Sequence, residues 1–303
     1  MISNERRNGS AAADTGGASG AFDLYDGGVT GGAVLVSVPH AGRAYPPEIL
    51  ARSRLPEEKL RLLEDRYADA LVEPLVQAGK SVLIARTPRA VIDLNRDERD
   101  IDPCIVHGIP YGWPLMQSIK QRGGLGLFPR SLPAIGELWR GAIEWEEAQA
   151  RIAHVHRPYH AALAGLIERA WSTHGAALLL DVHSMPPLAS RRYCGDAPDI
   201  VIGDRFGASC SSRLSAIAQA VVARHGFTAA LNHPYAGSYL IERHSSPAKG
   251  RHALQIEISR ALYLDAAFDR LSHGVERIRA LLSELVHVLE EELTNHSLAQ
   301  AAE

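Results

Sequence analysis

The stretch AALLLDVHS (residues 176–184) is the most convincing core strand in the sequence. It is a short, continuous apolar run, as expected of a strand buried on both faces, and it ends next to a histidine. A second run of this kind, AVLVSVPH (residues 33–40), also ends in a histidine and passes into a Gly-containing loop. Both patterns predict strands that carry polar residues to the carboxyl edge of a sheet, where open α/β sheets bind ligands.

Strands and helices alternate along the rest of the chain. Further strands are predicted at SVLIART (residues 81–87), DIVIGD (residues 199–204) and HALQIEISRALYLD (residues 252–265), and VIDLNR (residues 91–96) is interpreted as a strand or strand edge. Helical spacing of apolar residues predicts helices over residues 57–80, over 135–174 with a break near Pro158, over 211–225 and over 267–293. This alternation predicts an α/β fold with a mostly parallel, doubly wound sheet.

Three regions differ in composition. Residues 1–31 are rich in Gly, Ala, Ser and Asp and lack the apolar stretch of a secretory signal, which predicts a disordered or loosely ordered leader. Residues 32–295 are expected to form a single domain. Within it, residues 97–131 contain many Gly and Pro and are too long for an ordinary connection, so we expect a substrate loop or lid there.

Composition excludes several classes of partner. With 303 residues, of which 46% are hydrophobic, the chain can bury a full core without disulfides. The formal net charge of -3 argues against binding to nucleic acid or anionic membranes, and no apolar run approaches the ~20 residues of a membrane span. Three cysteines without a CxxC pair fit a reducing compartment. We expect a cytoplasmic protein with a small-molecule substrate, either a monomer or a homo-oligomer.

The two strand-end histidines, His40 and His183, suggest a metal site. Neutral imidazole is a common zinc ligand, and a catalytic zinc site usually has three protein ligands plus a water. Asp65 in LLEDRYADAL is the best third candidate, with neighbouring Glu64 as its rival, because a carboxylate on the helix after the first strand can turn back toward His40. The alternative is that each histidine simply ends a strand without a ligand.

Glu257 interrupts the apolar pattern of LQIEIS. A buried carboxylate must be paired, coordinated or protonated, and beside a zinc-bound water such a group can act as general base. The alternative is an outward-facing strand residue, because Gln255 and Glu257 share one face of the strand while the apolar residues share the other. Strand periodicity alone leaves both interpretations open.

Several polar residues are suited to gripping the acid end of a substrate. They lie in or near VIDLNR and just after GSYLIE: Arg89, Asn95, Arg96 and Arg243. Guanidinium groups bind carboxylates in a bidentate manner, which favours a small, carboxylate-bearing substrate. The alternative is a surface ion pair with Asp93 or Asp97.

Taken together, eight segments follow the order and spacing of the N-formylglutamate amidohydrolase family, which the chain resembles over residues 34–265: SVPHAG, LEDRYAD, R-x-VIDLNR, RPYH, LLLDVHS, PDIVIGD, AGSYLIERH and HALQIEIS. The resemblance implies a three-layer α/β/α sandwich around a central mixed, mostly parallel sheet, related to the fold of the zinc carboxypeptidases. It also implies a zinc-dependent amidohydrolase that converts N-formyl-L-glutamate to formate and L-glutamate at the end of histidine degradation.

Carried over by position, the resemblance implies three metal ligands, His40, Asp65 and His183. It implies one zinc ion per chain, although cobalt, nickel or manganese would suit the same ligands. Glu257 corresponds to the general acid/base. The substrate-binding positions that match family segments are Arg89, Asn95, Arg96, Arg243 and His160, of which Asn95 and Arg96 resemble the pair that binds the substrate carboxylate in the carboxypeptidases.

The sequence departs from these patterns at three places. Arg43 stands where a carboxypeptidase His-x-x-Glu motif would have its glutamate, residues 97–116 differ from the expected loop, and Asp204 replaces a more usual Thr. These changes leave room for a deacylase or peptidase that acts on a different N-acyl amino acid. A noncatalytic binding protein with the same fold is a further alternative, against which the retained histidines and acids argue.

Overall fold

A seven-stranded sheet forms the centre of the protein, whose computed structural model describes residues 20–132, 135–189 and 197–301. In chain order the strands are β1 (Phe22–Tyr25), β2 (Val34–Val38), β3 (Val82–Ala85), β4 (Val106–His107), β5 (Ser131–Leu132), β6 (Gly136–Glu137), β7 (Ile143–Glu144), β8 (Ala177–Met185), β9 (Ile200–Gly203), β10 (Ala229–Leu231) and β11 (Arg251–Ser259). The central order is β1-β3-β2-β8-β11-β9-β10. The β1–β3 and β9–β11 pairs are antiparallel and the other neighbours are parallel, which confirms the predicted mixed, mostly parallel sheet.

Helices cover both faces of this sheet, and shorter ones lie beside it. In chain order the helices are α1 (Pro47–Arg52), α2 (Glu57–Leu60), α3 (Ala68–Gln77), α4 (Ile119–Arg122), α5 (Trp145–Arg151), α6 (Arg157–His174), α7 (Ser212–Arg224), α8 (Tyr239–His244) and α9 (Val275–Ala301). A π-helical turn at Ile152–His156 joins α5 to α6, close to the break expected near Pro158. None of the described helices is both long and apolar enough to cross a membrane.

The alternation of side chains along the strands sorts the core into two layers. On β8, Leu178, Leu180 and Val182 pack with buried residues of α3, α7 and α9. Leu179, between them in sequence, packs on the opposite face with Tyr159 and other residues of α6. Because successive side chains of a strand point to opposite faces, one apolar run supports both helical layers. The three-layer α/β/α sandwich is therefore confirmed.

The face covered by α6 changes from apolar to polar toward the carboxyl end of the sheet. Along β8 the residues on this face are Leu179, then Asp181, then His183, and along β11 they are Ala253, then Gln255, then Glu257. All of these positions are buried, with Glu257 the most exposed of them at 9%. Buried polar side chains require partners, so this end of the sheet is where a polar site can form.

A separate apolar cluster lies beside the sheet. It is built from α1, α2 and residues 90–152, including Ile101, Leu127 and Phe128 from the segment 97–131. That segment also forms β4, α4 and the start of β5. Its role as a substrate loop stays a prediction. Buried residues fix its two ends, whereas residues 107–120 are exposed or half-buried.

Several predicted elements differ from those observed. The helix expected over residues 57–80 is interrupted: α2 and a 3-10 turn end at Leu63, and α3 begins only at Ala68. Tyr67 has a φ of 60°, in the left-handed region, so the chain reverses between the two pieces. Asp65, expected on a helix, lies in this interruption, where its backbone N–H donates to the carbonyl oxygen of His40.

The strand predicted at VIDLNR was also wrong. Residues 91–96 form turns, and the Asp93 carboxylate caps them by accepting a hydrogen bond from the backbone of Asn95. Part of the predicted leader is wrong as well, because Phe22–Tyr25 forms edge strand β1. Residues 1–19 of that leader lie outside the described residues. The helix predicted over 267–293 begins later, at Val275.

Gly42 allows the loop after β2 to lie against the chain after β3. A Cβ atom at this position would overlap the backbone carbonyl of Thr87. We expect Gly42→Ala to lower the free energy of unfolding by about 1–3 kcal/mol, since overpacking a buried contact forces the backbone apart. Urea denaturation measures this change. Gly141→Ala is the matched control, because its Cβ would have nothing within 4 Å, and equal stability of the two variants would contradict the prediction.

Candidate active site

A cavity of about 440 Å³ opens at the carboxyl ends of β2, β8 and β11. This volume is typical of sites for small molecules. Seven of the residues singled out from the sequence line it: His40, Asp65, Arg89, Asn95, Arg96, His183 and Glu257. Residues that the sequence did not indicate complete the polar lining, namely Lys120, Ser184, Ser238, Gln255 and Arg260.

Two histidines and one aspartate meet in this cavity. One possible ligand atom from each of His40, Asp65 and His183 lies within 4.8 Å of the other two, and all three residues are buried. Oδ2 of Asp65 is 3.0 Å from Nδ1 of His183 and 3.3 Å from Nδ1 of His40. Strand ends β2 and β8 bring the histidines together, and the interruption between α2 and α3 brings Asp65 to them.

Glu64, the rival of Asp65, points elsewhere. Its carboxylate accepts hydrogen bonds from the hydroxyl of Tyr45 at 2.9 Å and from Arg66 at 3.0 Å. It is absent from the His-Asp-His group. The geometry therefore separates two neighbouring acids that the sequence left as alternatives.

Each histidine is held from behind by a second carboxylate. Nε2 of His40 lies 2.8 Å from Asp93 Oδ1, and Nε2 of His183 lies 2.7 Å from Asp181 Oδ2. Carboxylates of this kind orient metal-binding imidazoles and fix the nitrogen that faces the metal. Sequence reasoning missed both acids. For Asp181 a signal existed, because it precedes His183 by two residues and so shares its face of the strand.

The electrostatics of the cluster favour a positive charge between its members. Burial alone would raise the pKa of Asp65, but the hydrogen bond with His183 and the close approach of His40 outweigh it and hold that pKa well below its usual range. Burial would lower the pKa of His183, but the negative charge of Asp181 and hydrogen bonds to Asp181 and Asp65 raise it well above its ordinary value. A proton or a metal cation would supply the charge that these groups stabilise.

One buried atom is left for such a cation. Nδ1 of His40 makes no hydrogen bond with any described residue, although it is buried and faces Asp65. An unpaired buried nitrogen costs free energy unless something binds it. Two imidazole nitrogens and one carboxylate oxygen are also a ligand set that zinc accepts. The residues present thus fit a divalent metal.

Strand pairing decides the orientation of Glu257. It lies directly opposite His183 on the neighbouring parallel strand, so both side chains lie on the same face of the sheet. Its carboxylate lines the cavity and accepts a hydrogen bond of 2.8 Å from Gln255 Nε2. Burial raises the pKa of Glu257. The outward, solvent-facing orientation considered from the sequence is not what the structure has.

Two arginines in or next to the turn at residues 91–96, Arg89 and Arg96, line the cavity. Nε of Arg89 donates to Asp93 Oδ2 at 2.8 Å, and Nε of Arg96 donates to the backbone carbonyl of Leu125 at 2.8 Å. Nη2 of Arg96 is 3.7 Å from Asp93, beyond hydrogen-bond distance. Asn95 lies between them, and its Oδ1 accepts from the backbone of Leu240 at 2.8 Å. Asp93 is fully buried, so these contacts are not the surface ion pairs considered from the sequence.

Arg243 and His160 are not among the residues that line the cavity, so its geometry gives no support to their assignment as substrate contacts. Arg243 is exposed and lies over the ring of Tyr239. His160 is buried behind the turn, where Nε2 donates to the carbonyl of Leu94 at 3.0 Å. Its Nδ1 then accepts from His244 at 2.8 Å.

A second histidine supports the same turn from behind. Nε2 of His156 donates to the carbonyl of Arg96 at 2.8 Å. With His160 on Leu94, the two rings hold the backbone on both sides of Asn95. Sequence reasoning found His160 in RPYH but could not show that it acts on the backbone of another segment, because that contact spans 66 residues.

Comparisons with known proteins identify the family of this chain. The family model described as N-formylglutamate amidohydrolase matches residues 32–264. A protein of Pseudomonas aeruginosa named N-formylglutamate deformylase is 30% identical over 262 residues, which cover 84% of this chain and 92% of that protein. One of the same name from Pseudomonas putida is 29% identical over 236 residues, 77% of this chain and 82% of that protein.

A solved structure agrees as well. The crystal structure of an N-formylglutamate amidohydrolase from Ralstonia eutropha JMP134 is 33% identical and superposes with a TM-score of 0.84, covering 91% of this chain and 99% of that one. A gene product from Agrobacterium tumefaciens, 19% identical with a TM-score of 0.62, shares the fold over 93% of this chain and 96% of that one. On the match of the family model and the extent of these similarities, the chain belongs to the N-formylglutamate amidohydrolase family.

Proposed function

We propose that this protein is a metal-dependent amidohydrolase that hydrolyses N-formyl-L-glutamate to formate and L-glutamate. The observation that carries the proposal is the buried His40–Asp65–His183 cluster, which shares one cavity with a buried carboxylate and several cations. The relatives named N-formylglutamate deformylase support the choice of substrate. The proposal also places the reaction in the cytoplasm, at the end of histidine degradation, as the sequence resemblance implies.

His40, Asp65 and His183 would hold the metal, through the atoms that already face one another. A catalytic zinc site usually has three protein ligands and one open position, which this set provides. When bound, a divalent metal supplies Lewis acidity, which polarises a carbonyl and lowers the pKa of a water. Zinc is the expected ion, one per chain, although cobalt, nickel or manganese would accept the same ligands.

Glu257 is the proposed general acid/base. Its raised pKa, which follows from burial, brings this carboxylate closer to the range in which a group can both take and return a proton. It accepts a proton from the water that adds to the formyl carbon, and it returns that proton to the nitrogen as the C–N bond breaks. Gln255 orients the carboxylate by donating to Oε1.

Arg96, Asn95 and Arg89 are the proposed contacts of the substrate carboxylate. Two nitrogens of Arg96 are already bonded to the protein, to the carbonyl oxygens of Leu125 and Asn95, which fixes the plane of the guanidinium. A guanidinium that is held in place loses little conformational freedom when it binds a carboxylate. The bound acid end would direct the formyl group toward the metal ligands and Glu257.

Removal of a ligand should release the metal. We expect His40→Ala and His183→Ala to lose most of the roughly one metal ion per chain that the three-ligand argument predicts, and a chelator should abolish activity. Elemental analysis of purified protein measures the content. His107→Ala is the control, because this exposed histidine lies outside the cluster. Full occupancy in both ligand variants would overturn the proposed ligand set.

The substitution Glu257→Gln tests whether this carboxylate acts in catalysis or only supports the structure. The amide keeps the size of the side chain but cannot accept the proton, so kcat should fall by about 10²–10⁴-fold while metal content and thermal stability change little. Formate release under saturating substrate gives kcat. Glu276→Gln, at a side chain that is 71% exposed on α9, should leave kcat unchanged. Near-normal turnover of Glu257→Gln at full metal occupancy would exclude this carboxylate as the base.

Arg96→Ala should chiefly weaken substrate binding. Losing one partner of a buried charge pair costs on the order of 2–5 kcal/mol, so KM for N-formylglutamate should rise steeply. Metal content should stay the same, because Arg96 is not a ligand. The dependence of the initial rate on substrate concentration is the measurement, and an unaltered KM would remove Arg96 from the carboxylate site.

A further inference from the structure

Lys120 is a cation of the cavity that has no ion pair within the described residues. It lines the same space as Arg89 and Arg96, which both lie near Asp93. The ammonium group makes neither an ion pair nor a side-chain hydrogen bond with residues 20–132, 135–189 or 197–301. A cation that the fold does not neutralise is available to an anionic ligand.

The backbone that carries Lys120 is held firmly relative to Arg96. Ser118 caps α4, and its hydroxyl donates to the buried carboxylate of Asp100 at 2.7 Å. The carbonyl of Lys120 accepts from the backbone of Leu125 at 2.8 Å, and the carbonyl of Leu125 accepts from Arg96 Nε at 2.8 Å. The backbone of Lys120 is therefore connected to the guanidinium of Arg96 by two consecutive hydrogen bonds through Leu125, which fixes the point from which the Lys120 side chain extends.

The charges around Lys120 are mostly of its own sign. Lys120 as a whole is exposed, but partial desolvation of its ammonium group, followed by repulsion from Arg96 and then from Arg89, lowers its pKa. The cavity is lined by four Lys or Arg side chains, Arg89, Arg96, Lys120 and Arg260, and by two acidic ones, Asp65 and Glu257. Two further carboxylates lie just behind this lining, because Asp93 accepts from Arg89 and Asp181 lies against His183, so the four basic and four acidic side chains balance. A divalent metal on the ligand cluster would add two positive charges, and one substrate carboxylate on Arg96 would offset only one of them. The site therefore suits an anion with two carboxylates.

We propose that Lys120 binds the side-chain carboxylate of the substrate, so that the cavity selects N-acyl derivatives of dicarboxylic amino acids. The inference rests on the proposed function, which assigns the other carboxylate to Arg96. Lys120 is thus a specificity-determining residue supplied by the segment 97–131. A lysine ammonium on a flexible stem suits this role, because it can follow a side-chain carboxylate whose position varies with chain length.

The test compares pairs of ligands that differ only in the charge of the side chain, which ends in a carboxylate in glutamate and in a neutral amide in glutamine. Wild-type protein and Lys120→Met are each assayed for kcat/KM with N-formyl-L-glutamate and N-formyl-L-glutamine, and the Kd values of L-glutamate and L-glutamine are measured by calorimetry. We expect wild type to prefer the charged ligand in both assays. In Lys120→Met that preference should fall by about 10- to 100-fold, the value of one hydrogen bond to a charged group.

Two variants control the experiment. Lys120→Arg keeps the charge and should retain the preference, whereas Arg122→Met removes a neighbouring exposed cation that does not line the cavity and should leave the preference unchanged. Metal content and thermal unfolding verify that each variant is folded. An unchanged glutamate-to-glutamine preference in Lys120→Met, or an equal loss for both ligands, would overturn the inference.

The outcomes for Lys120 and for the proposed function are distinguishable. If wild type releases no formate from N-formyl-L-glutamate, the proposed activity is wrong, and the calorimetric preference still judges Lys120 because binding needs no turnover. If wild type is active and Lys120→Met keeps its preference for the charged ligand, the proposed activity is supported and only the proposed role of Lys120 is wrong.

Discussion

The carboxylate of Asp65 faces two imidazoles at once, with a hydrogen bond to His183 and a close approach to His40, and the arrangement of the site depends on that shared carboxylate. Its Oδ2 lies within 3.3 Å of Nδ1 of both His40 and His183, at a place from which water is largely excluded. Buried charges are tolerated only when they are paired and hydrogen-bonded, so each member of the cluster constrains the others. The break in the helix predicted over residues 57–80 follows from this requirement, because only a reversal of the chain there brings Asp65 to the strand ends.

The same requirement extends outward through a second layer of acids. Asp93 and Asp181 bind the far nitrogens of His40 and His183, and Asp93 also accepts from Arg89. One buried carboxylate thus connects the proposed metal ligands to the proposed substrate cations. This connection explains why residues 91–96 form turns instead of the expected strand: Asp93 must reach His40 while Arg96, three residues later, lines the cavity.

The substrate side of the cavity is supported from outside the sheet. His156 and His160, on consecutive turns of helix behind the site, donate to the backbone carbonyls on either side of Asn95. The Asp100 carboxylate holds the turn that carries Lys120 by accepting from the backbone N–H and the hydroxyl of Ser118. Both supports join segments that are separated in sequence, so the positions from which the cations extend come from packing and not from local structure.

The layers of the fold and the main candidate residues of the active site could be predicted from the amino-acid sequence. The runs 33–40 and 176–184 are largely apolar, which predicts strands that are buried on both faces. Each run has a histidine at or near its end, so both histidines are expected at the edge of the sheet. Asp181 was equally readable, since it shares a strand face with His183. Other features depend on contacts between distant segments and could not be predicted from periodicity. Asp65, and not Glu64, lies beside the two histidines, because the chain changes direction between these acids and α3. Glu257 faces the cavity, because parallel pairing places it beside His183. Lys120 lines the cavity, whereas Arg243 and His160 do not. Each of these positions depends on contacts between segments far apart in the chain, about which a local pattern carries no information.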